Sequence, residues 1–133
     1  MESNGLASKV SGIDKKGDIA KFIGYLFMSR DYIHKAHLKT TSNSTHVALN
    51  ELYTDLLEFI DEFAEVAQGI FGKLDVSEYR IEGNVNDPIS TIQKHVNTLM
   101  SMVDTCDSRA LNKIVDEIEA IYYRTLYKIS ELS

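Results

Sequence analysis

HVALNELYTDLLEFIDEFAEVAQGIF, residues 46–71, decides the fold. Its apolar residues Leu49, Leu52, Leu56, Ile60, Phe63, Ala67 and Ile70 recur every three to four positions, the period of one helical face. A seam kept over that length is the kind that helical bundles bury. Glu51, Asp55, Glu58 and Glu62 lie off the seam and are expected in solvent. Gly72 follows as a stop signal.

Upstream, TTSNST (residues 40–45) breaks the chain with side chains that compete for backbone hydrogen bonds. Ser44 or Thr45 is expected to cap the helix that follows. Before this break, Ile19, Phe22, Ile23, Leu26, Phe27 and Ile33 predict a helix over about 18–39, with Arg30 and His37 on the same apolar face. Residues 1–16 are polar, hold Gly5 and Gly12, and read as a flexible arm.

Downstream, KLDVSEYRIEGNVN (residues 73–86) is the one long connection. VSEYRI alternates weakly enough to suggest a short extended piece. The connection reaches about 45 Å when extended, and the helix before it is about 39 Å long. It can therefore either turn back or cross the bundle. Asp87 and Pro88 make a helix start, cap then first position. Ile89, Ile92, Val96, Leu99 and Val103 carry the third helix. After a break at TCDS (105–108), the fourth carries Leu111, Ile114, Val115, Ile118, Ile121, Tyr122, Leu126 and Ile129. The expected fold class is all-α: a ferritin-like four-helix bundle over residues 17–133, with one long connection between helices two and three.

The 133 residues suffice for a single buried core. No apolar run has the roughly 18 residues of a membrane span, and residues 1–17 hold none of the kind a signal peptide needs. The expected setting is cytoplasmic, and the single cysteine, Cys106, fits a reducing compartment. A net charge of −6 makes the chain a poor partner for nucleic acid, whose affinity comes from Lys and Arg on phosphates. Lys9, Lys15 and Lys16 are interleaved with Glu2, Asp14 and Asp18 and form no basic arm. HExxH, CxxC, P-loop and GxGxxG patterns are absent.

Three of the four histidines, His34, His37 and His46, fall at the break between the first two helices. Antiparallel packing brings all three to one end of the bundle. Imidazole and carboxylate groups suit iron and zinc. Asp61 and Glu65 form a carboxylate pair further on, but Asp61 lies about 22 Å along the helix from His46. One chain therefore splits these candidates into two half-sites. On a wheel with Leu56 at zero, His46 falls near ~80°, Asp61 near ~140° and Glu65 near ~180°, so the acids point away from the seam. A two-fold dimer laying helices one and two against their mates would reunite them.

The order His34-x11-His46-x14-Asp61-x3-Glu65 resembles the ferroxidase site of the Dps mini-ferritins over residues 30–70. In that family iron is held by two histidines of one subunit and an aspartate and a glutamate of its mate. The resemblance implies an iron-binding protein with ferroxidase activity. Its ligands would be His34, His46, Asp61 and Glu65, with His37 orienting them. In a second register Asn50 stands opposite the second histidine and Glu65 opposite the aspartate. The chain departs from the family in carrying Lys35 after the first histidine and in having no tryptophan.

SRDYIHKAHLKTTSNSTHVALNELY followed by QGIFG also resembles a family of short uncharacterised proteins of tailed phages. These share the pattern HxxHLxTxS…HxAL, then D, E and QG. That resemblance implies a host-cytoplasmic context and no particular chemistry. Two functions are accordingly expected. One is a Dps-like iron-binding homodimer or higher homo-oligomer. The other is a non-enzymatic phage-type bundle that binds a host protein, a virion component or a small ligand. In this second reading Arg30 and His37 contact the ligand and residues 73–86 form a recognition loop.

Overall fold

The computed structural model describes residues 6–132, with side chains from Lys15 onward. Residues 1–5, part of the arm expected over residues 1–16, lie outside the described residues. Four α-helices make up the fold: α1 (Leu6–Lys39), α2 (Asn43–Phe71), α3 (Pro88–Met102) and α4 (Arg109–Glu131). The first helix thus starts well before the expected position near Asp18.

Local chemistry sets the helix ends. Ser42, not Ser44 or Thr45, caps α2: its hydroxyl oxygen accepts from the Thr45 N–H at 3.2 Å. Gly72 ends α2 at φ 90°, a left-handed value open to glycine. Asp87 caps α3 by accepting from the Ser90 N–H at 3.3 Å, and Pro88 fills the first position. Ser108 caps α4 through the Leu111 N–H at 3.2 Å.

Core contacts fix the helix directions. Phe22 meets Phe63 with ring centroids 5.0 Å apart, and His37 meets His46, so α1 and α2 are antiparallel. Ser29 bonds His95 and Lys15 pairs with Asp104, so α3 also runs against α1. Tyr122 reaches Ser29 and Lys128 pairs with Glu51, so α4 runs with α1. α1 packs on α2 and α3, and α4 packs on the same two, leaving α2 and α3 parallel on a diagonal. The up-down-down-up order with one long crossover is the connectivity of ferritin-like bundles.

The 73–86 segment therefore crosses the bundle, climbing along α1. No strand forms among the described residues, because the extended stretch lies against a helix and has no strand to pair with. Instead α1 fastens it at successive turns. The Ser77 N–H donates to the Ala20 carbonyl at 3.3 Å. The Glu82 N–H meets Met28 Sδ at 3.4 Å, and Tyr32 donates to the Asn84 carbonyl at 2.5 Å. A Cβ on Gly24 would sit 2.0 Å from the Ser77 carbonyl oxygen, so only glycine admits the crossover this close.

The seam of α2 is buried from Leu49 to Ala67, while Ile70, expected on it, is half-exposed in the last turn. Phe27, also expected in the core, is 42% exposed. It lies where the crossover leaves α1 uncovered. The buried face of α1 is instead widened by Tyr25, Ser29, Tyr32 and Ala36, because α1 has neighbours on two sides.

Gly24→Ala is expected to lower the free energy of unfolding by about 1–3 kcal/mol, since a backbone atom must shift to admit the methyl. Gly17→Ala, with nothing within 4 Å of the new Cβ, is expected to raise it by about 0.5–1 kcal/mol through helix propensity. Urea unfolding of the two variants checks both signs.

Candidate functional site

Successive turns of α1 present Arg30, His34 and His37, and the opening turns of α2 present His46 and Tyr53. The five side chains form one continuous stack at the α1–α2 end. His34 lies flat on Tyr53, with centroids 4.2 Å apart and planes within 11°. His37 stacks on His46 at 3.9 Å and 25°. His37 also tilts against Tyr53 at 5.2 Å and His34 at 5.8 Å, which joins the two pairs. Arg30 donates from Nε to the Tyr53 carbonyl at 2.9 Å, with its guanidinium 5.5 Å from the Tyr53 ring centroid. Arg30 was expected in an apolar stripe; it holds α1 to α2 and is half-buried.

The polar atoms of the stack are unevenly satisfied. The His37 carbonyl can only accept, so His46 Nδ1 carries the hydrogen of their 3.0 Å bond and leaves Nε2 with the lone pair in the neutral ring. His37 is 7% exposed, and its Nδ1 is buried without a hydrogen-bond partner. Burial holds the His37 pKa below its ordinary value, and the neighbouring His46 adds to this. The His34 carbonyl pulls weakly the other way, and the His34 ring lowers it further.

Asp61 and Glu65 are exposed on α2, well down the helix from His46. The structure brings His34, His37 and His46 together and leaves both carboxylates apart from them, as the one-chain spacing requires. Among the described residues no three His, Cys, Asp or Glu side chains are placed to hold a metal ion. The four Dps-type ligands therefore do not form a site within one subunit.

A second polar cluster joins residues that lie far apart in the chain. His95 is fully buried on α3. The Glu82 carbonyl accepts from its Nε2–H at 2.8 Å, which makes Nδ1 the acceptor in the neutral ring. Ser29 donates to that Nδ1 at 2.8 Å, and Tyr122 donates to Ser29 at 2.7 Å. The chain Tyr122–Ser29–His95–Glu82 ties α4, α1, α3 and the crossover into one satisfied network. The rings of Tyr25 and Tyr32 meet His95 edge-on at 5.6 and 5.2 Å. Burial holds the His95 pKa below its ordinary value, offset by the Glu82 carbonyl and carboxylate. Burial also drives the Tyr122 phenol well above the usual range. The available signal was position: His95 sits three residues after Ile92 and four before Leu99, on the apolar face of α3.

A family of unknown function, DUF5856, matches residues 37–129. The chain belongs to this family. The match starts at His37, so it takes in His46, Tyr53 and the crossover but not Arg30 or His34. An uncharacterised 14.6 kDa protein from the mobD–ri intergenic region of Enterobacteria phage T4 is 26% identical over 121 residues, or 90% of this chain and 92% of that relative. The phage-type resemblance holds at the level of an uncharacterised family. Neither comparison relates the chain to Dps. No solved structure matches it.

His37 and His95 are both depressed, so the unfolded chain binds more protons than the folded one as pH falls. Their contribution to stability is fully present above about pH 6.5 and is lost as pH drops below it. The urea midpoint is expected to be flat from about pH 7 to 8 and to fall towards pH 5. His95→Gln should flatten that fall while costing about 1–3 kcal/mol at neutral pH from disrupted buried hydrogen bonds. A wild-type midpoint independent of pH over this range would refute the assignment.

Proposed function

We propose that this protein is a non-enzymatic, phage-type binding module whose α1–α2 end engages a host or virion protein in the host cytoplasm. The observation that carries this reading is the stack of Arg30, Tyr53, His34, His37 and His46. Its rings lie face to face in two pairs tilted against each other, which packs ring faces together rather than converging ligand atoms and leaves His46 exposed and Arg30, His34 and Tyr53 half-buried at the surface. Arg30 uses Nε within the protein, and no carboxylate pairs with it among the described residues. Its terminal nitrogens suit a carboxylate of the partner. No described helix is long and apolar enough to cross a membrane, in keeping with this setting.

A second reading, Dps-like iron binding across a homodimer, is favoured by one feature. His46 Nδ1 is anchored on a carbonyl, the arrangement that orients Nε2 for a metal. Exposed Asp61 and Glu65 are free to face a partner subunit. His34 and His46 of one subunit would bind the ion with those acids of the mate, and iron would supply the redox chemistry.

Affinity capture from host lysate with identification by mass spectrometry separates the two. A specific partner whose recovery falls about tenfold or more with Arg30→Ala or Tyr53→Ala is expected. Stoichiometric iron on a dimer or larger oligomer after anaerobic Fe(II) addition, lost in His46→Ala, would replace this reading with the second.

A further inference from the structure

The crossover is hydrogen-bonded to α1 at Ser77 and again at Glu82, and between them Tyr79 meets Tyr25 of α1 edge-on at 5.6 Å. No backbone group of residues 78–81 makes a hydrogen bond among the described residues. Beside this stretch lies an open groove of about 400 Å³, lined by Gly24 and Phe27 of α1 and by Val76 and Tyr79 of the crossover. Val76 and Tyr79 are 37% and 36% exposed, so with Phe27 three large apolar side chains meet water in one place. A partner that covers these side chains removes their apolar surface from water.

The charged side chains that line the groove are both acidic, Asp31 on the helix side and Glu78 on the crossover side. Lys35 touches Asp31 only at 3.8 Å, with both side chains more than half exposed, a pair that contributes little. Glu78 has no ion-pair partner among the described residues. The chain as a whole, at net −6, adds a long-range attraction for positive partners.

We propose that this groove binds an extended peptide segment of a partner protein in which a Lys or Arg is flanked by apolar residues. The apolar side chains cover Phe27, Val76 and Tyr79, and the cation lies between Asp31 and Glu78. The unpaired N–H and C=O groups of residues 78–81 bond the peptide backbone, as an exposed strand edge does. The site is separate from the histidine stack. It occupies the crossover side of α1, whereas Arg30 and His34 face α2.

Panning a random peptide display library on the intact protein tests this. The enriched peptides are expected to place Lys or Arg next to apolar residues. A fluorescein-labelled enriched peptide should bind about tenfold or more weakly, by anisotropy, to Phe27→Asp and to the double variant Asp31→Lys/Glu78→Lys. It should bind Arg30→Ala as it binds wild type. All three variants alter side chains away from the buried core, and matching helical circular dichroism confirms their folding. No enrichment, enriched peptides without a cation, binding indifferent to the groove variants, or binding lost in Arg30→Ala would each overturn the proposal.

Discussion

A buried carbonyl outside any helix or strand must find its donor elsewhere, and in this bundle the Glu82 carbonyl finds it in the ring of His95. That bond sets the tautomer of His95, which makes Ser29 a donor and the oxygen of Ser29 the acceptor for Tyr122. Four segments thus meet at a set of atoms with no spare donor or acceptor in the ring. Parallel α2 and α3 require a long connection, and a long connection needs attachment to ordered structure. The relay supplies that attachment at mid-bundle, while Gly24 supplies it lower down by letting the chain lie against the helix. Charging His95 would put a second hydrogen where Ser29 already donates, which is why burial and bonding together keep the ring neutral.

The histidines at the other cluster obey a different logic. His37, His46, His34 and Tyr53 gain from ring contact and from the anchoring of His46 on a carbonyl, while His37 Nδ1 is left unbonded. Burial and the neighbouring His46 disfavour protonation of His37, and the stacked rings present a polarisable surface, properties as useful for recognition as for ligation.

The bundle was legible because its periodicity is strong: Leu49 to Ala67 are buried as the spacing requires, and Asp87–Pro88 starts α3 as their chemistry requires. Capping was legible only to within a few residues, since TTSNST offers several hydroxyls and α2 starts early enough, at Asn43, for Ser42 to take the role. The meeting of His34, His37 and His46 followed from antiparallel helices joined by a short turn. The role of Tyr53 as a platform did not, because ring stacking depends on rotamers that spacing does not encode. Phe27 marks a second blind spot. It is exposed because the crossover covers part of α1 and leaves part bare, and only the path of the crossover reveals which.

The crossover also gives assembly an order in time. Each antiparallel pair, α1 with α2 and α3 with α4, closes over a short turn and is cheap in chain entropy. Uniting the pairs requires contacts such as Ser29 with His95 and Ser29 with Tyr122, 66 and 93 residues apart in the chain. Contacts of such separation repay their ordering cost only after both pairs exist. The buried relay is therefore a feature of the final docking of two hairpins, and the crossover acts as the tether that keeps one hairpin within reach of the other until it closes.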